Sequence, residues 1–303
     1  MPSNQPSLGA LPSRFRRERV LIVGCGDVGL RVAGQMRNRV RLLALTSQSE
    51  RTGELRAQGL VPMQGNLDDS ASLRRLAGIA TRVVHLAPPR SEGWSDLRTQ
   101  ALVRALRLRQ KPISVVYGST SGVYGDCGGA WVAETRSVHA DTPRAQRRVH
   151  AEAQMRFLGL AAGVRISILR IPGIYAADRE GGTPRARLLK GTPVLQAPDD
   201  VYTNHIHADD LARACCRALW HGARQRVYNV NDDSDLKMGD YFDLAADLFG
   251  LARPPRIARE GASAHLPLML LSFMNESRRM VNTRMKQELR LALRHPTVVS
   301  GLV

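Results

Sequence analysis

A chain of 303 residues with 43% hydrophobic content can bury a large core, as one α/β unit or as a main domain with a smaller lobe. No apolar run reaches the ~18 residues a membrane helix needs, so no membrane partner is expected. The four cysteines (Cys25, Cys127, Cys215, Cys216) form no CxxC pair or disulfide framework, which makes a cytoplasmic setting the expectation. The net charge of +17 is nearly all arginine, since lysine occurs only at 111, 190, 237 and 286. These arginines are spread along the whole chain and aromatic content is 5%, which reads as solvated helix faces with no specific nucleic acid as partner.

Residues 1–18 carry Pro2, Pro6, Pro12 and the cluster Arg14, Arg16, Arg17 without an apolar stretch, and are expected to be a disordered lead-in. The first strand, 19–23, runs into Gly24-Cys25-Gly26-Asp27-Val28-Gly29 and then a helical pattern over 27–37. Strand, tight turn and helix start in this order form a dinucleotide cradle. Gly24 allows the turn, Gly26 lets the backbone approach a pyrophosphate, and Gly29 lets helix and strand pack closely. Further strands are predicted at 40–45, 60–64, 81–86, 113–118, 165–170 and 226–230. Helices are predicted at 51–58, 70–77, 94–109, 143–161, 208–221, 239–250 and 282–293. The alternation implies a Rossmann-type, doubly wound parallel sheet. The dinucleotide-binding domain takes 19–170 plus 199–235, and a smaller C-terminal substrate lobe takes 171–198 plus 236–303.

An acidic residue at the end of the second strand binds the ribose 2′-OH of NAD. Here that strand ends Ala44-Leu45-Thr46-Ser47, and the next acid, Glu50, is followed by Arg51. NADP is therefore favoured over NAD, with Thr46, Ser47 and Arg51 as partners of a 2′-phosphate. Asn66 and Leu67 follow the third strand and Ala87 and Pro88 close the fourth, where an adenine edge and a ribose would lie.

Several ordered motifs resemble those of an extended short-chain dehydrogenase/reductase of the NAD-dependent epimerase/dehydratase family. They are the glycine loop, Ser119-Thr120-Ser121-Gly122-Val123-Tyr124-Gly125, Leu169 to Tyr175, Asn204 to Ala212 and Val227-Tyr228-Asn229-Val230. The likeness runs from about residue 19 to the C-terminus and is nearest to the atypical subgroup that includes the bacterial YeeZ proteins. It implies an oxidoreductase or epimerase acting on a small carbonyl or sugar-like substrate, with a homodimer as the candidate assembly.

The resemblance also implies a Ser/Thr paired with Tyr-x-x-x-Lys, in which the lysine tunes the tyrosine for acid–base work. Thr120 falls on the Ser/Thr position and Glu152 on the glutamate four past the lysine, which puts Arg144 and Arg148 where tyrosine and lysine belong. No tyrosine or lysine occurs between 125 and 174. Arginine stays protonated and transfers no proton, although Arg148 could still hold a ribose or phosphate. Tyr124 is the candidate replacement acid and Tyr175 a second. The alternative is a non-catalytic NADP-binding regulator or sensor. His205, His207, Asp209 and Asp210 read as a strand end with a helix cap that includes Asp209, so no metal is expected. Trp94 and Trp131 flank the expected crevice.

Overall fold

The computed structural model of the chain describes residues 18–267, 270–271 and 274–302. The expectation for residues 1–17 lies outside these. The central sheet is built from β1 (Arg19–Val23), β2 (Arg41–Thr46), β3 (Val61–Gln64), β4 (Arg82–His85) and β5 (Ser114–Thr120). A two-residue β6 (Trp131–Val132) follows, and β7 (Arg165–Ile171) rejoins the sheet. After β8 (Gly173–Tyr175), β9 (Val194–Leu195), β10 (Tyr202–Thr203) and β11 (His205–His207), the last sheet strand is β12 (Arg226–Asn229). The order is β12-β7-β5-β4-β1-β2-β3, with every pairing parallel. This is a Rossmann-type α/β fold, and its strand order reverses between β1 and β4.

The sheet forms because its strands are almost wholly apolar and are covered on both sides, as parallel strands require. Along β1 the side chains alternate between two cores. Val20 and Ile22 pack with α1 (Asp27–Met36) and α6 (Ala208–His221). Leu21 and Val23 pack with α3 (Leu97–Leu106) and α4 (Pro143–Ala162). Between these lies α2 (Thr52–Ala57), while α5 (Arg185–Leu189) and α7 (Met238–Phe249) belong to the later part of the chain.

That later part also holds β13 (Leu236–Lys237), β14 (Arg256–Ile257) and β15 (Arg279–Met280). These make two-stranded pairings: β13 with β10, β14 with β9, β15 with β6, and β11 with β8. The β15–β6 pairing brings the segment around 276–280 back onto the loop that follows β5.

Several helix ends differ from the sequence expectation for local reasons. The helix expected from 94 begins at Leu97, because Asp96 caps it by accepting the Thr99 N–H at 3.0 Å. The 70–77 segment is a 3₁₀ turn, Ser72–Leu76. The helix expected over 282–293 spans Thr283–Glu288, and soon afterwards Arg290 takes a φ of +50°. The N-cap of α6 is His207, whose Nδ1 accepts the Asp209 N–H at 3.2 Å; Asp209 itself lies in the first turn. Thr142 caps α4 by accepting the Ala145 N–H at 3.1 Å, with Pro143 in the first turn and Gly163 closing the helix at φ +69°.

One buried ion pair fastens α4 to the sheet beneath the crevice. Glu152 accepts from Arg170 Nε at 3.1 Å and Nη2 at 2.8 Å, and from Ser119 Oγ at 2.7 Å. Arg170 is only 3% exposed, so removing its partner strands a buried charge. Glu152→Ala is expected to cost about 3–5 kcal/mol in urea unfolding. A loss below about 1 kcal/mol, the range of an exposed pair, contradicts this role.

Candidate active site

The glycine loop is shaped by three different demands. Gly24 has φ +89°, and a Cβ there would lie 2.3 Å from the Ala87 nitrogen, so the turn after β1 fits only against the exit of β4. A Cβ on Gly29 would meet the Gly24 carbonyl oxygen at 2.8 Å, which is the close packing of α1 on its strand. At Gly26 a Cβ would meet nothing within 4 Å. The protein itself tolerates a side chain there, but the open space belongs to two cavities that Gly26 lines.

Gly26 is the N-cap of α1 and offers no side-chain cap to the first N–H groups of the helix. Uncapped N–H groups beside open space fit a diphosphate. A carboxylate in this first turn, Asp27, would oppose such an anion, and two cations offset it. Arg31 Nε meets Asp27 at 3.1 Å and Arg179 Nε meets it at 3.4 Å. Arg31 also pairs with Asp178 at 2.7 Å and Asp209 at 2.6 Å.

On one side of the loop lies a cavity of about 320 Å³ lined by Thr46, Ser47, Arg51, Asn66, Leu67, Ala87 and Pro88, together with Gln48 and Arg98. No carboxylate stands among its described lining residues. Arg51 donates to the Cys25 carbonyl at 3.0 Å and pairs with Glu54 at 3.1 Å, so its charge is already shared. The Thr46 hydroxyl is tied to Gln48, accepting its N–H at 3.2 Å. Asn66 Oδ1 accepts the Asp68 N–H at 3.0 Å, which makes its donating Nδ2 the group best placed to meet a base. Burial pushes the Cys25 thiol up to about 11, so it is a neutral packing group in the loop.

The other side of the loop opens into a cavity of about 270 Å³ that takes in Asp27, Val28, Gly29, Thr120, Arg144 and Arg148. Arg148 is held by donating to the Tyr117 hydroxyl at 3.1 Å and the Gly118 carbonyl at 2.9 Å. This cavity shares Thr120, Arg144, Pro172, Ile174 and Arg179 with a larger one of about 460 Å³. The larger cavity extends to Arg187, Tyr202, Asn204, Glu276 and Arg278. The sequence reading named none of the five as a site residue, although Asn204 opens one of its motifs; Arg187 and Arg278 look like surface arginines in an arginine-rich chain.

Tyr124, expected as the replacement acid, lies elsewhere. Its ring is 1% exposed under the Arg170 guanidinium, which sits 4.6 Å away, and its hydroxyl donates to Asn229 Oδ1 at 2.7 Å. Burial raises its pKa against the opposing charge of Arg170. Tyr175 is likewise turned inward, donating to the Thr297 carbonyl at 3.2 Å. Neither tyrosine is among the described residues that line the three cavities. Trp94 and Trp131 are 58% and 55% exposed and line none of the three either. His207, Asp209 and His295 bring ligand atoms within 4.8 Å of one another. Each is engaged locally: His207 as cap, Asp209 with Arg31, and His295 Nδ1 with the Ser300 carbonyl at 2.8 Å.

The geometry separates two glycines by their cost. Gly26→Val is expected to fold normally and lose dinucleotide binding in calorimetry, whereas Gly24→Ala is expected to lose about 1–3 kcal/mol of stability through strain. Unchanged affinity in folded Gly26→Val contradicts the cradle.

Comparison with known proteins bears on the family and the fold. Residues 20–231 match the model of the NAD dependent epimerase/dehydratase family. A GDP-6-deoxy-D-mannose reductase from Pseudomonas aeruginosa is 28% identical over 193 residues, 55% of this chain and 62% of that protein, so the match spans less than two thirds of the relative's length. A solved structure of a functionally unknown conserved protein from Silicibacter pomeroyi superposes with a TM-score of 0.77 at 26% identity, covering 94% of this chain and 96% of that one. UDP-glucose 4-epimerase from Thermotoga maritima, solved with UDP-glucose, has the same fold, with a TM-score of 0.75 at 18% identity over 94% and 96% of the two chains. The chain belongs to the NAD dependent epimerase/dehydratase family.

Proposed function

We propose that the protein is an NADP-preferring oxidoreductase or epimerase for a small carbonyl or sugar-like substrate, in which Thr120 stands at the reacting carbon and Arg144 and Arg148 take the places of the tyrosine–lysine pair. The observation that carries this reading is the junction: Thr120 and Arg144 line both the cavity behind the glycine loop and the 460 Å³ cavity beyond it. The reductase of a GDP-deoxysugar among the relatives supports the sugar-like class. A bound nicotinamide would supply or accept hydride at this junction.

The chain's own groups then do the rest. Thr120 Oγ1 accepts the Gly122 N–H at 3.3 Å, which leaves its proton to donate to a substrate oxygen. Burial, and after it the charge of Arg148, lower the Arg144 pKa. Arginine nevertheless stays protonated in proteins, so Arg144 stabilises negative charge developing on that oxygen and exchanges no proton. The proton comes from water, because Tyr124 is committed to Asn229. Arg148, fixed by Tyr117 and Gly118, holds a ribose or phosphate oxygen of the cofactor. The carboxylate-free lining around Thr46, Ser47 and Arg51 supports the choice of NADP.

The inward commitment of both Tyr124 and Tyr175 also favours a second reading, a non-catalytic NADP-binding regulator. Turnover against a panel of simple aldehydes, ketones and ketosugars with NADPH decides between the two. An enzyme of the proposed kind is slow but measurable, loses about 10²–10³-fold in Arg144→Gln, and is unaffected by Tyr124→Phe in a folded variant. Restoring the family pair with Arg144→Tyr and Arg148→Lys should raise the rate by up to ~10²–10⁴-fold. If no variant turns over any substrate while NADPH binds, the regulator reading replaces the enzyme. For the cofactor, NADPH is expected to bind more tightly than NADH, and Arg51→Glu should narrow the gap; a clear NADH preference in the unmodified chain contradicts the 2′-phosphate argument.

A further inference from the structure

Neither Thr120 nor Arg144 can hold the transferred proton at the junction, because a hydroxyl is too weak a base and a guanidinium stays charged. The described lining of the 460 Å³ cavity holds one carboxylate, Glu276. It also holds one phenol, Tyr202, but that ring is stacked on Arg279, whose guanidinium carbon lies 4.5 Å from its centre.

Glu276 is fixed in place by its neighbours. The Ser277 N–H donates to Asp126 Oδ1 at 2.8 Å, and the Ser277 carbonyl accepts the Cys127 N–H at 3.0 Å, which locks this segment to the loop after β5. Arg278 then aims the carboxylate. Its Nη1 donates to the Gly125 carbonyl at 2.6 Å and its Nη2 meets Glu276 Oε2 at 2.7 Å. The other oxygen, Oε1, has no hydrogen bond among the described residues. The Glu276 side chain is 17% exposed, so it can be reached from the cavity it lines. A base held by a third group that also fixes its direction is the usual arrangement for proton transfer.

The carboxylate faces the Thr120 hydroxyl across a missing side chain. A Cβ on Gly122 would lie 3.7 Å from Thr120 Oγ1 and 3.9 Å from Glu276 Oε2. Both oxygens therefore border one small gap, which Gly122 leaves open. Thr120, Gly122, Arg144 and Glu276 all line the same cavity.

Resting on the reading of this junction as the site of hydride transfer, we infer that Glu276 is the proton-transferring residue, acting on a substrate oxygen held between it and the Thr120 hydroxyl. In the oxidising direction the carboxylate takes the alcohol proton. The O–H electron pair becomes the second bond of the carbonyl as the carbon gives its hydride to oxidised NADP. In reduction the carbonyl oxygen takes the proton from the carboxylic acid, and water then restores it. Water supplies the proton by way of Glu276. The charged groups around this carboxyl are Arg278 on its own segment, Arg144 on α4, Asp126 on the loop before β6, and Arg179 and Arg187 across the cavity.

The test is steady-state kinetics on the full chain with NADPH and the carbonyl panel, and with NADP and the matching alcohols. Glu276→Gln keeps an acceptor for Arg278 and is expected to lower kcat at least about 100-fold, with NADPH affinity and melting temperature unchanged. Glu276→Asp should keep part of the rate, and added formate should restore part of it in Glu276→Ala. In the oxidising direction kcat falls on acidification, because the working form is the carboxylate, and this acid limb disappears in Glu276→Gln. Gly122→Ala places a methyl in the gap at ordinary contact distances, so it should fold and lose at least about tenfold in kcat.

A second arm needs no cofactor. In protein labelled with ¹³C at the glutamate carboxyls, the signal lost in Glu276→Gln is expected to titrate and to shift on adding hydroxyacetone. In Gly122→Ala it should titrate without that shift. The inference is overturned if Glu276→Gln turns over like the unmodified protein, or if formate fails to rescue Glu276→Ala. It is also overturned if the acid limb survives in Glu276→Gln, if hydroxyacetone leaves the Glu276 signal unmoved, or if Tyr202→Phe and not Glu276→Gln abolishes turnover. No turnover by the unmodified protein is a different failure, since it removes the enzyme reading and this inference with it.

Discussion

The molecule depends on a contact that only the absence of a side chain permits. β1 and β4 are neighbours at the point where the strand order reverses, and their exits must pass each other closely. Gly24 solves this with a left-handed backbone, pressed so near Ala87 that a methyl group would sit 2.3 Å from its nitrogen. The chain can then turn directly into α1, whose N-cap and first residues line the cavities. Everything that follows, from the position of Arg51 on one side to that of Arg144 on the other, is measured from this crossing.

A second constraint lies one layer below the crevice. Ser119, Glu152, Arg170, Tyr124 and Asn229 form a continuous buried polar chain from β5 through α4 and β7 to β12. Buried polar networks are costly where a member goes unpartnered, and the Tyr124 hydroxyl is taken up within this one by Asn229. Its hydroxyl therefore serves the scaffold. The same logic fixes Arg148, which is braced by the Tyr117 hydroxyl and a β5 carbonyl. By the family resemblance, Arg144 and Arg148 align with the positions where a tyrosine and its lysine are implied.

The sheet was legible in the sequence because buried parallel strands must be apolar on both faces, and runs such as Val20 to Val23 have no other reading. The glycine spacing was legible because Gly24 and Gly29 answer steric demands of the turn and of helix packing, while Gly26 keeps open the space beside the helix start. Tyr124 was not. A tyrosine after a strand can point into a crevice or into the core, and the deciding partner, Asn229, lies 105 residues away. The 460 Å³ cavity was hidden for a related reason. Its walls come from segments near 120, 144, 174, 187, 203 and 277, which long-range contacts such as the β8–β11 and β6–β15 pairings bring together. Composition worked against recognition too, since among so many arginines Arg179, Arg187 and Arg278 carry no distinguishing local pattern. Helix limits depended on caps such as Asp96 and His207, which act over three residues or fewer and override the longer apolar period.

The central claim is that the junction of cofactor and substrate cavities works with a hydroxyl and a permanent cation and without a titratable tyrosine. A structure of the protein with bound NADP tests it most directly. The account predicts that the nicotinamide ring lies at this junction, with the Thr120 hydroxyl and the Arg144 guanidinium flanking the space in front of its C4 carbon and the Tyr124 hydroxyl still on Asn229. A nicotinamide lodged elsewhere, or a tyrosine hydroxyl swung within hydrogen-bond reach of that space, would contradict it.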